Sequence, residues 1–135
     1  MSPRKARTTP GNRTDATLRL RIAMQYAELA HLKDDDDDDA AARNASAGNA
    51  VLAGIAAADT ICLIKLGQRS ASPDHGEAII LLRDVDSTLA KHLSVLIGDK
   101  PTAHYGGTFL STTALKSCVR AMERLIEAAT TAMQS

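Results

Sequence analysis

Apolar residues recur at helical spacing in several segments of the chain, and the longest apolar segment lies near its middle. Ser46 to Gly67 reads SAGNAVLAGIAAADTICLIKLG, and Ala50 to Ala58 carries no polar side chain. A helix that is apolar on nearly every face belongs in a protein interior. A membrane span needs about 20 apolar residues without a break, whereas Asp59 and Lys65 interrupt this segment. We therefore expect this segment to be the central helix of a helical bundle. We expect it to end at Gly67 and to have no membrane as a partner.

A first amphipathic helix is predicted before the central one, from about Asp15 to about Lys33. Its large apolar residues recur three or four positions apart, which predicts a core-facing stripe, formed by Leu18, Ile22, Tyr26 and Leu29. Residues 1–13 are rich in Pro, Gly, Thr and Arg, so we expect a disordered basic tail. This tail either keeps the chain soluble or touches nucleic acid as a basic arm.

Six consecutive aspartates, Asp34 to Asp39, follow the first helix. Like charges repel, and this end of a helix is already negative, so we predict a mobile acidic loop over residues 34–45. A solvated loop is the simplest interpretation. Binding of a divalent cation, contact with a basic partner and mimicry of nucleic acid are the alternatives.

The second half of the chain predicts two or three more helices. One begins near Asp74 or Gly76 and keeps an apolar face to Ile97. Because Asp86 or Ser87 could cap a new helix, this segment is either one bent helix or two short ones. The last helix is predicted from about Thr112 to about Ala132, with an apolar stripe formed by Leu115, Cys118, Val119, Met122, Leu125, Ile126 and Ala129.

Together these segments predict an all-α, antiparallel bundle of four to five helices over residues 14–135, with short connections and no strand. The 16 basic and 16 acidic residues balance, so no overall field favours nucleic acid or a membrane. Nothing suggests a signal peptide, and we expect a cytoplasmic protein. Cys62 and Cys118 fall in apolar stripes, which predicts buried free thiols.

Polar residues in unexpected places supply the candidate chemistry, and Asp59 is the first of them. A buried carboxylate is costly unless another group bonds to it. His75, Lys100, His104 and Tyr105 are the other candidates. We expect His104 and Tyr105 to reach Asp59, either to close a polar gap or to form a catalytic site. The spacing of His75, His104 and Asp59 is irregular for a metal site, and we predict neither a metal nor a cofactor.

Three pieces of the chain resemble the HEPN superfamily: AAADTICLIKLGQRS, SPDHGEAIILL and DKPTAHYGG. The resemblance covers about Ser46 to Ala129. It implies an all-α bundle that is often paired through its helices. It also implies kinship with metal-independent ribonucleases of toxin–antitoxin and phage-defence systems. Those ribonucleases use an Arg, four arbitrary residues and a His, together with a polar residue on the second helix.

This sequence departs from that catalytic motif. Asp99 stands five positions before His104, and Lys100 stands four before it. The resemblance therefore implies first a HEPN-like binding or scaffold module, dimeric, with an RNA or an antitoxin-like protein as partner. Its alternative is an endoribonuclease in which His104 transfers protons, Lys100 stabilises phosphate charge, Asp59 orients His104 and Tyr105 contacts RNA. The sequence leaves open whether the protein is an enzyme.

Overall fold

The computed structural model describes residues 7–33, 39–104 and 110–135, with the backbone alone for 99–104. The described chain is mostly helical, with five helices and one small sheet. In chain order the elements are β1 (Thr8–Pro10), α1 (Arg13–His31), α2 (Ala40–Leu66), β2 (Gln68–Ser70), α3 (His75–Arg83), α4 (Ser87–His104) and α5 (Thr112–Met133).

Helix α2 is the central element, as the apolar segment predicts, and it is buried on most of its faces. Asp39 caps its first turn by accepting a hydrogen bond from the Ala42 N–H at 3.0 Å. Gly67 ends it in the left-handed conformation, with φ of 71°, which glycine adopts without steric cost. Among the described residues, α2 alone is long and apolar enough to cross a membrane. Most of that stretch, 78%, lies buried inside the fold, as in the core helix of a bundle.

Helix α1 packs antiparallel to α2 through alanine. Ala16, Ala23 and Ala30 are fully buried on its inner face. The Ser46 hydroxyl of α2 donates a hydrogen bond to the Ala30 carbonyl of α1. Near the other end of the pair, the Thr60 hydroxyl donates to Ala56 of its own helix at 3.0 Å and lies 3.5 Å from the Ala16 carbonyl of α1. These contacts define the register of the two helices.

The predicted core stripe of α1 is wrong in orientation. Leu18 is 56% exposed and Leu29 is 47% exposed, while Ile22 and Tyr26 are only partly buried at the edge of the core. Small side chains allow two helices to approach closely, since the distance between axes depends on the residues at the contact. The alanines of α1 therefore face the alanines of α2, and the larger side chains turn outward.

The segment after residue 74 forms two helices rather than one bent helix. The Asp86 carboxylate accepts hydrogen bonds from the N–H groups of Thr88 and Leu89, at 2.8 and 3.1 Å, and caps α4. Helix α4 runs antiparallel to α2. Its first turns lie beside Ile61 and Lys65, and Leu96 lies so close to Gly54 that a methyl group there would overlap it.

Helix α5 confirms its prediction closely. Ser111 caps it, with its hydroxyl oxygen accepting from the Ala114 N–H at 3.1 Å. Its large apolar side chains enter the core, and those that are buried are Leu115, Cys118, Val119, Met122, Leu125 and Ala129. Cys62 and Cys118 are buried thiols that are not joined in a disulfide, as predicted.

Two connections differ from the sequence prediction. Residues 7–13, expected in a disordered tail, are ordered: β1 pairs antiparallel with β2, with Thr8 opposite Ser70 and Pro10 opposite Gln68. The expectation of no strand is therefore wrong, because a three-residue strand held by backbone bonds has too few side chains to give a pattern. Residues 40–45, expected in a loop, begin α2 because Asp39 caps an alanine-rich turn. Residues 1–6 and 34–38 lie outside the described residues.

Candidate functional site

The carboxylate of Asp59 is buried in the core and is paired with Arg19 of α1. Arg19 Nη2 lies 2.9 Å from Asp59 Oδ2, and the two side chains are 27% and 8% exposed. The antiparallel register places Ala16 beside Thr60, so Arg19, three residues further along α1, lies close enough in height for its long side chain to reach Asp59. The buried acid thus has a partner, and that partner comes from the first helix.

Burial and nearby charge act in opposite directions on Asp59. Burial raises the pKa of this carboxyl, and the guanidinium groups of Arg19 and Arg69 oppose the rise. Burial, with the negative charges of Asp59 and Asp84, raises the pKa of the Cys62 thiol to about 12. Because a thiolate is the reactive form of cysteine, Cys62 is an inert core residue rather than a nucleophile.

Arg19 stands between two surface depressions. One, of about 280 Å³, is lined by Arg19 and Arg69 and by residues of β1. The other, of about 550 Å³, lies along the outer edge of the α1–α2 pair and is lined by Arg19, Ile22, Gln25, Tyr26, Leu52, Ile55 and His75. The Nε atom of Arg19 is buried without a hydrogen-bond partner among the described atoms. Arg19 is therefore both an internal counter-ion and part of the surface.

Residues 7–13, which include β1, form an N-terminal arm that binds a second buried carboxylate, Glu77 of α3. Glu77, in the first turn of α3, is 2% exposed, and it accepts hydrogen bonds from the backbone N–H and the guanidinium of Arg7, each at 3.2 Å. A hydrogen bond from Ser72, together with those from Arg7, lowers the pKa of Glu77 to about 2. Sequence reasoning missed this pair, because the two residues are far apart in the chain.

The four-residue site predicted from the sequence stays a prediction. Asp59 is buried as expected, but the side chains of Lys100, His104 and Tyr105 lie outside the described residues. The Arg43 side chain donates a hydrogen bond to the Leu110 carbonyl at 3.0 Å. The chain that follows α4 therefore returns to the N-terminal part of α2, which is the end remote from Asp59.

Other candidate ligands are not gathered into one centre. His75 begins α3 and lines the larger depression beside Arg19. Within the described ranges, no group of three His, Cys, Asp or Glu side chains could hold a metal ion. A third depression, of about 600 Å³, lies between the ends of α2 and α5 and the start of α4, and its rim mixes Lys65, His92 and Arg124 with Asp86 and Glu127.

The large apolar residues of α1 are the largest feature whose orientation the sequence analysis predicted wrongly, because most of them lie on the outer side of the helix. Leu18, Ile22, Leu29 and Leu32 follow one another along this side, and Leu32 is 70% exposed. Leu52 and Ile55 of α2 line the depression next to it. We call these six residues the α1 apolar face. Periodicity found the stripe, but it could not say which side of the helix turns to the core.

A scan of protein-family models and a search of curated proteins both find no match to this chain.

Proposed function

We propose that this protein is a HEPN-like helical binding module that works as a homodimer in the cytoplasm, with an RNA or a protein as its further partner. The observation that carries the proposal is the α1 apolar face. Four of its residues follow the outer side of α1 and two lie on the adjacent part of α2, and Leu18, Leu29 and Leu32 are about half exposed or more. Single exposed apolar residues are common on protein surfaces, whereas a continuous set marks an interaction site.

The polar interior favours a binding module over a catalytic centre. Asp59 has Arg19 at 2.9 Å, so its burial is explained by a structural ion pair. In a catalytic site, Asp59 would orient His104. Leu96 lies against Gly54 in the antiparallel α2–α4 pair. Counted from that contact, Asp59 is five residues toward one end and His104 is eight toward the other, which at 1.5 Å per residue favours a separation of about 20 Å over a shared site.

Sedimentation velocity tests the proposal. The wild-type chain is expected to be dimeric at micromolar concentration, and Leu29→Glu is expected to make it monomeric, because a carboxylate would be buried in an apolar contact. Met24→Glu is the matched control, since Met24 is an exposed apolar residue of α1 outside the apolar face. This control should remain dimeric. A wild-type chain that stays monomeric at all accessible concentrations would remove the proposal.

The endoribonuclease alternative has its own test. Purified wild-type protein and His104→Ala are incubated with structured RNA in the presence of a metal chelator. We expect no cleavage by either, and retarded migration of the RNA if RNA is the further partner. Cleavage by the wild type that His104→Ala abolishes, with the variant still folded, would replace the binding module with a metal-independent ribonuclease.

A further inference from the structure

The outer side of α1 has the spacing of a helix-pairing seam. Leu18, Ile22, Gln25, Leu29 and Leu32 are separated by four, three, four and three positions. This is the pattern of residues that face a partner helix in a coiled coil. The seam runs along most of the 19 residues of α1, a helix of about 28 Å.

Two opposite charges flank this seam on the same side. Arg21 directly precedes Ile22, Glu28 directly precedes Leu29, and both side chains are exposed. In an antiparallel pair of α1 helices, these flanks of the two copies face each other. Arg21 of each copy then meets Glu28 of the other, and twofold symmetry makes this contact twice.

A parallel pair fits the flanking residues less well. It would place Glu28 beside Lys33 but Arg21 beside the neutral Tyr26, so only one of the two flanking charges would meet an opposite charge. A parallel pair would also point the two helix dipoles in the same direction, so that like ends lie together, whereas the dipoles of an antiparallel pair point in opposite directions. Sliding an antiparallel pair by one heptad would bring the two Glu28 side chains together. The charges therefore favour one orientation and one register.

We propose that two copies of this chain associate by antiparallel packing of their α1 helices, with Leu18 against Leu29 of the second copy and Arg21 beside its Glu28. Ile22 then packs against Gln25 of the second copy near the twofold axis. A polar residue within such a seam sets the register. This inference rests on the proposed function, since it names the partner and the geometry of the same surface.

Cysteine cross-linking tests the orientation. Leu18→Cys, Leu29→Cys and the double variant are oxidised and examined on non-reducing gels; the native Cys62 and Cys118 are buried. Only the double variant, or a mixture of the two single variants, should form a covalent dimer. Residues 18 and 29 of one helix are about 16 Å apart, too far for a bond within one chain. Cross-linking by each single variant alone would show parallel packing and overturn the inference.

Charge reversal tests the register. Arg21→Glu and Glu28→Arg should each raise the dissociation constant about tenfold, because like charges then face each other at two symmetric positions. The double reversal should return it to within about threefold of the wild type. Glu28→Arg suits the dipole at the C-terminal end of α1, and the circular dichroism of both variants should match that of the wild type. Losses that simply add in the double variant would contradict the register.

The outcomes separate this inference from the proposed function. A monomeric wild-type chain removes both. A stable dimer in which Leu29→Glu acts as expected, but in which the double cysteine variant forms no disulfide, leaves the apolar face as the interface and removes the antiparallel geometry alone.

Discussion

Helices α1 and α5 carry apolar stripes of similar spacing, yet they use them in opposite ways. Helix α5 buries its large residues, among them Leu115, Met122 and Leu125. Helix α1 buries only alanine inside and leaves Leu18 and Leu29 about half exposed. Both helices pack on the same central helix, so the difference arises from the residues on the opposite side of each helix.

The comparison shows that, when two faces of a helix could enter the core, steric fit against the neighbouring helix decides between them as well as hydrophobicity. Helix α5 presents charged residues opposite its stripe, so only one face can enter the core. Helix α1 has alanines at heptad spacing opposite its leucines. These fit the small residues of α2 at a close interhelical distance, and the larger side chains remain at the surface.

The largest expected effect is a loss of stability that differs between the apolar stripes of α5 and α1. Leu125→Ala, in α5, should lower the free energy of unfolding by about 3 kcal/mol, because it removes buried methyl groups and leaves a cavity. Leu18→Ala, in α1, should lower it by about 0.5 kcal/mol or less, since this side chain is exposed in the monomer. Urea denaturation at protein concentrations below those at which the proposed dimer would form measures both. Equal losses would show that α1 packs as the sequence alone predicts.

Removing the polar contact between α1 and the core should have a comparable effect. Arg19→Met should lower the free energy of unfolding by about 3 kcal/mol, because it leaves Asp59 buried without its counter-ion. Arg19→Met combined with Asp59→Leu should recover most of that loss, since an apolar pair needs no counter-ion. Arg21→Met, on the exposed side of α1, is the matched control. A double variant as unstable as the single one would mean that Asp59 has another essential partner.

The effect of Arg19→Met should also depend on pH. Burial raises the pKa of Asp59 in the folded chain, so the folded state binds a proton more readily than the unfolded state. Stability then falls as pH rises above the ordinary carboxyl range. The loss in Arg19→Met should therefore diminish as the pH is lowered from neutral toward about 4. Denaturation curves at several pH values measure this trend.

A smaller effect should follow from enlarging the inner face of α1. Ala23→Leu should lower the free energy of unfolding by about 2 kcal/mol, because the added side chain has no room against α2. Met24→Leu, on the exposed side, should change it little. Thermal unfolding of the two variants compares them. A stabilised Ala23→Leu chain would show that space remains between α1 and α2.

The smallest effect is local and concerns the arm that leads into α1. The pKa of Glu77 is lowered from 4.5 to about 2, so its contribution to stability is present above about pH 4.5 and is lost as the pH falls toward 2. The protection of the β1–β2 backbone against hydrogen exchange, relative to the intrinsic rate at each pH, should decrease over this range before that of α5. Glu77→Gln should show low protection of this backbone at neutral pH already. An equal loss of protection in α5 would mean that the arm does not open separately.

Much of the helical framework was predictable from local patterns. The central helix, its end at Gly67 and the stripe of α5 each depend on neighbours in the chain, and each is confirmed. The strands β1 and β2 were not predictable, because their pairing joins residues about 60 positions apart. The partner of Asp59 was missed for the same reason: Arg19 becomes its neighbour only when α1 and α2 pair.

The sequence by itself determined the main helical segments, where several of them end, and that Asp59 would need a bonding partner in an apolar interior. Those outcomes follow from spacing, capping and the cost of burying a charge, all of which act over a few residues. Only the tertiary structure decided which face of α1 turns inward and which side chain meets Asp59. Both depend on how closely two helices can approach, and that distance is set jointly by residues that the chain keeps far apart.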